Sequence, residues 1–309
     1  HLLETADEQS PLMPLLASTL TTYITHDAAL EALIDLTQHT NRDVRRLAAD
    51  KIAESDATIL DMPRVIPALV SGLGLSNMPP KLFQPLMMRA LSGRITEPDL
   101  AVLRDLLRTA PDNDVRMAAS AVLACAADLT CWREVVALKP DVNILGERKS
   151  NAFEVVEHIL NQPNPVPALL ALTEFDPRNG HQLLTAIVAA VTLVTLGERE
   201  TAAATLARAL QAEDIRSDVV MDWPLLNLLA RMGIPQAMDA AVDAFVWRLL
   251  KADGTPKAIL ATPNANFTQD RETLFAWMDA ALGQAAQAAY LKLLTQPAPP
   301  APSAASNAP

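Results

Sequence analysis

The stretch NRDVRRLAADKIAES, residues 41–55, has a near copy in DNDVRMAASAVLAC, residues 112–125. Aligned without gaps, Val44 falls on Val115, Leu47 on Ala118, Ala48 on Ala119 and Ile52 on Leu123. These positions recur at i, i+3, i+4 and i+8, one stripe of a 3.6-residue helix. Both stretches are therefore expected to be helices with a narrow, small-residue face that lets a neighbour come close. Asn41 and Asp112 stand where a side chain accepts the free N–H groups of a first turn. Val44 and Val115 are 71 residues apart, two units of about 35, and that period belongs to helical solenoids.

Each copy is preceded by a second amphipathic helix. THDAALEALIDLTQHT leads into the first copy and ITEPDLAVLRDLLRTAP into the second, where Thr96 and Asp99 have capping-box spacing and Pro98 sits in the first turn. The unit is helix, short turn, helix. A degenerate unit is expected between the copies, from DMPRVIPALVSGL and PPKLFQPLMMRALSG, with Pro85 shifting or kinking the latter. In the second half, TLGERETAAATLARAL and RMGIPQAMDAAVDAF both read as helix end, Gly, turn and Ala-rich helix. Gly197 and Gly233, 36 residues apart, fit the left-handed position that closes a helix. NAFEVVEHILNQ, PVPALLALTEF and NGHQLLTAIVAAVTLVTL supply the helices between.

Composition agrees. Half the residues are hydrophobic but only 4% aromatic, and Ala and Leu dominate, which suits helices better than strands. The net charge of -11 argues against a phosphate-binding surface, so no nucleic acid is expected as partner. The densest basic group, Arg42, Arg45, Arg46 and Lys51, is diluted by Asp43 and Asp50 and reads as a solvated helix face. The best candidate for a membrane span, Gln182 to Gly197, is uncharged for only 16 residues, short of the roughly 20 a bilayer needs, so it is expected to be a buried helix and no integral membrane segment is expected. The chain begins at His1, and the expectation is that it has been processed or trimmed and that a leader is missing. Few lysines relative to arginines, with abundant Ala, suggest a GC-rich bacterial genome.

Asp112-Asn113-Asp114-Val115-Arg116 with Ala118-Ala119, and Asn41-Arg42-Asp43-Val44-Arg45 with Ala48-Ala49, resemble the second-helix signature of HEAT repeats. The likeness is specific over residues 27–125, weak over 126–180, and that of a generic helical repeat with a tetratricopeptide flavour beyond. It implies an all-α fold, a right-handed α-α superhelix: a HEAT-like solenoid of helix pairs with a period of about 35–36 residues. It further implies that Asp43, Arg45, Asp114 and Arg116 form a structural ladder between repeats rather than a site. On this reading residues 1–24 are an N-terminal cap helix and 25–251 the solenoid, HEAT-like to 125 and degenerate over 126–251. Residues 252–269 are a loop, 270–296 a C-terminal capping helix and 297–309 a disordered Pro/Ala-rich tail.

Chemistry is sparse. Cys125 and Cys131 flank a short turn in which Thr130 is placed to cap the next helix. They are read either as a possible disulfide or as two reduced, half-buried thiols. Glu154 and His158 share a helix face but lack the second His of a metalloprotease helix, so an exposed i,i+4 pair is expected and no metal or other cofactor. SGLGLSN at 71–77 reads as a helix-ending turn, not a phosphate cradle. Trp132, Trp223, Trp247 and Trp277 sit among apolar neighbours, as core residues do, and Asn266 opens an N-x-T sequon. Three functions follow. The first is a non-catalytic scaffold whose concave face binds another protein with a basic surface, with a bacterial immunity or assembly protein as a specialised form. The second is an enzyme of lyase type, as some HEAT-like families are; the third is a tethered structural component of an envelope assembly. The tail and the possible disulfide lean towards a periplasmic or exported protein, with the cytoplasm as alternative.

Overall fold

A helix begins well where a side chain answers its first free N–H groups, and the two motif helices do so alike. Asn41 Oδ1 accepts the N–H of Asp43 at 2.9 Å and of Val44 at 3.4 Å, and Asp112 Oδ1 accepts that of Asp114 at 2.9 Å. Asp99 Oδ2 receives both the Thr96 N–H, at 3.2 Å, and the Thr96 hydroxyl, at 2.6 Å, closing the expected box with Pro98 in the first turn. The computed structural model describes residues 12–248 apart from 56, 61, 75–79, 92, 141–150 and 213–218. All of its secondary structure is helical, with no strand among the described residues.

The first half runs α1 (Leu12–Thr22), α2 (Asp27–Leu36), α3 (Arg42–Ala53), α4 (Ala57–Leu60), α5 (Val65–Leu73), α6 (Pro80–Leu91), α7 (Glu97–Thr109) and α8 (Asn113–Cys125). α3 and α8 are the motif copies, and α5 and α6 lie between them in the chain. Pro85 lies inside α6, which runs on through it to Leu91. The second half runs α9 (Trp132–Leu138), α10 (Ala152–Leu160), α11 (Val166–Leu172), α12 (Gly180–Thr195), α13 (Arg199–Leu210), α14 (Val219–Arg231) and α15 (Pro235–Arg248). The expected cap helix over 1–24 holds α1, whereas the loop, capping helix and tail expected over 252–309, with Asn266, lie outside the described residues.

Packing follows the apolar stripes. α2 turns Ala29, Leu30, Leu33 and Leu36 inward and leaves Asp27, Glu31 and Asp35 outside, and each buried leucine contributes about 1.5–3 kcal/mol. α1 lies on α2 and α3, α3 meets α5 and α6, α6 meets α8, and α5 meets α7. The small-residue face of α3 is used as its sequence implies. Ala48 and Ala49 are fully buried, and a Cβ added to Gly72 would collide with the Ala49 side chain. Gly72 is thus a close-approach residue within α5, not part of a helix-ending turn; Gly74 alone caps that helix.

Two helices contain stretches with no solvent face. Residues 186–193 of α12 and 225–230 of α14 are buried without interruption, the signature of a helix with no solvent face. α12 packs against α10, α11 and α13, the place expected for the long uncharged run. α14 packs against α13 and α15 but also reaches back to α6 and α8, a contact that a strictly nearest-neighbour stack does not make. At that seam the buried Asn227 donates from Nδ2 to the Cys125 carbonyl at 2.7 Å, joining residues 102 positions apart.

The helix ends are closed as the glycines imply. Gly197 has φ +94° and Gly233 φ +71°. After α12 the Gly197 N–H bonds the Val194 carbonyl and the Glu198 N–H that of Leu193, a Schellman closure. α8 ends in the same pattern, but with Ala127 at φ 56° where glycine is favoured.

Candidate functional site

The last carbonyls of a helix lack intrahelical donors and lie at the negative end of its dipole, where a guanidinium is well placed. The arginines of this chain are used repeatedly in that way. Arg45 Nη1 donates to the carbonyls of His39 at 2.5 Å and Thr40 at 2.7 Å, in the turn after α2. Arg116 Nε donates to Leu107 at 2.9 Å, near the end of α7. Arg89, 5% exposed, donates to Leu60 at 3.0 Å; Arg133 donates to Leu160 at 3.0 Å; and Arg208 donates to Thr173 at 2.6 Å while lying over the Phe175 ring. The Arg116, Arg89, Arg133 and Arg208 bonds each reach the end of another helix, whereas Arg45 ties down a turn.

The four residues assigned to a ladder divide accordingly. Arg45 ties down the turn between α2 and its own helix, and Arg116 fastens the end of the helix that precedes its own. Asp43 lies 3.6 Å from Arg46 on the same helix, and Asp114 is exposed. Charged links between helices or their ends lie elsewhere. Arg64 joins Asp27 at 2.7 Å and Glu31 at 2.5 Å, Arg108 joins Glu134 at 3.0 Å, and Lys139 joins Glu157 at 3.0 Å.

A well-shielded link joins Arg104 to Asp128. Arg104 reaches Asp128 Oδ2 from Nε at 2.7 Å and from Nη2 at 2.5 Å, and also holds Glu97 at 2.5 Å. The Asp128 side chain is 7% exposed. Burial alone would raise its pKa, but hydrogen bonds from Thr130 and Arg104 outweigh burial and hold it below the ordinary carboxyl value. Asp128 Oδ1 accepts the Thr130 N–H at 2.9 Å, so Asp128, not Thr130, organises the turn into α9. The Asx-turn spacing of Asp128 and Thr130 was the available sequence signal for this; nothing local pointed to Arg104.

Cys125 and Cys131 are two free, buried thiols, and no bridge joins them. Cys125 sits in the apolar core beneath the α8–α14 seam and Cys131 at the entrance of α9, each filling its own place in the packing. Burial pushes both thiol pKa values up, with Glu134 adding to the effect at Cys131, so neither has the exposed thiolate of a reactive cysteine.

Glu154 and His158 are both exposed on α10, and no group of three His, Cys, Asp or Glu among the described residues is arranged to hold a metal. Trp132 packs beside Phe153, centroids 6.5 Å apart, and donates from Nε1 to the Thr192 hydroxyl at 2.8 Å, so it links α9 to α12. The side chains of Trp223 and Trp247, and all of Trp277, lie outside the described residues. Among the described residues no helix is long and apolar enough to cross a membrane.

Compared with family models, curated proteins and solved structures, the chain matches none.

What the surface offers is charge. Asp35, Asp105, Asp114, Glu154, Glu200 and Asp239 are exposed, spread over α2, α7, α8, α10, α13 and α15. The basic group of α3 is partly answered within the helix, Arg46 by Asp43 and Lys51 by Glu54 at 2.9 Å, while Arg45 faces carbonyls.

Proposed function

We propose that this chain is a non-catalytic binding scaffold, a HEAT-like stack of helix pairs whose acidic surface holds another protein through a basic patch. The carrying observation is the division of labour among its charges. Arg45, Arg89, Arg104, Arg116, Arg133 and Arg208 hold the fold together, whereas the carboxylates of Asp35, Asp105 and Asp114 stand exposed. A surface of that kind steers a cationic partner towards itself and repels nucleic acid. α14 already covers part of α6 and α8, so the gripping face on this reading is assigned to the parts of the inner surface that α14 leaves free.

The test is affinity capture from a lysate of the native organism, eluted through a salt gradient, beside the triple variant Asp35→Asn, Asp105→Asn, Asp114→Asn. One stoichiometric basic protein, released by salt and lost from the variant while its thermal unfolding is unchanged, supports the scaffold. No partner at any salt concentration, or capture indifferent to the three substitutions, overturns it.

A further inference from the structure

We draw no further inference here: the strongest candidate, the exposed acidic stripe of Asp27, Glu31 and Asp35 along α2, is already answered in part by Arg64, and nothing in the structure shows what covers the rest.

Discussion

α3 and α8 carry the same motif, yet one borders a charged surface and the other is covered along its second half by another helix. In both, an Asn or Asp caps the start, a buried Val and a small-residue pair face the neighbouring helices, and an Arg holds a carbonyl of the segment before. The aligned positions outside that joint differ in kind. Arg46, Asp50, Lys51 and Glu54 of the first copy become Met117, Ala121, Val122 and Cys125 in the second. Glu54 is exposed, whereas Val122 and Cys125 are fully buried, and α14 packs on that helix. The motif thus encodes the joint within a helix pair, and the positions between motif residues encode what stands on the other side.

Exchanging those positions is the most severe way to break the comparison. Val122→Lys places an unpaired charge in the core of α8 and is expected to cost more than about 4 kcal/mol, enough to abolish cooperative unfolding. The mirror change Lys51→Val removes only a surface pair and is expected to shift stability by less than about 1 kcal/mol. Equal losses in denaturant melts would show that the two helices do not differ as described.

Asn227→Leu strands the Cys125 carbonyl and is expected to cost about 1–3 kcal/mol. Hydrogen exchange should accelerate at the end of α8 and in α14, while α2 and α3 keep their protection. Uniform acceleration throughout would contradict a local seam.

Asp128→Asn is expected to cost about 1.5 kcal/mol at neutral pH, where the native carboxylate is ionised. The folded-state pKa is depressed, so the stabilisation is complete above the ordinary value of 3.8 and fades as pH falls below it. Urea midpoints of the variant and the native protein should therefore converge in acid; a gap that persists at low pH would assign the loss to packing instead.

Arg45→Met and Arg116→Met are each expected to cost about 1 kcal/mol, because each motif arginine holds a carbonyl of the segment before its own helix. A neutral result at one site and not the other would separate the two copies. The smallest effect is a gain: Ala127→Gly relieves the left-handed position after α8 and is expected to stabilise by roughly 0.5–1 kcal/mol, read as a raised Tm.

What could be read from the sequence was local. Asn41, Asp112, Thr96 and Asp99 declare helix starts because a cap involves only the next three residues, and Gly197 and Gly233 declare ends for the same reason. The long run before Gly197 is buried because it lacks charge on any face. What could not be read depends on partners chosen at long range. Asn227 looks like any helical asparagine until the Cys125 carbonyl lies against it, and Asp128 gives its turn but not Arg104. Gly72 resembles a turn glycine because a helix crossing leaves no trace in neighbouring residues. The return of α14 to α8 was written only as missing charge at Val122 and Cys125, a pattern whose meaning needs the first copy for contrast.

The same seam has a consequence in time. α8 emerges from the ribosome with its apolar face complete, but Asn227 follows the Cys125 carbonyl it bonds by 102 residues. At synthesis rates of about 5–20 residues per second, that face waits roughly 5–20 s for its cover. During that interval the nascent chain is open to wrong pairing with a second molecule, whereas the charged positions of α3 carry no such exposure.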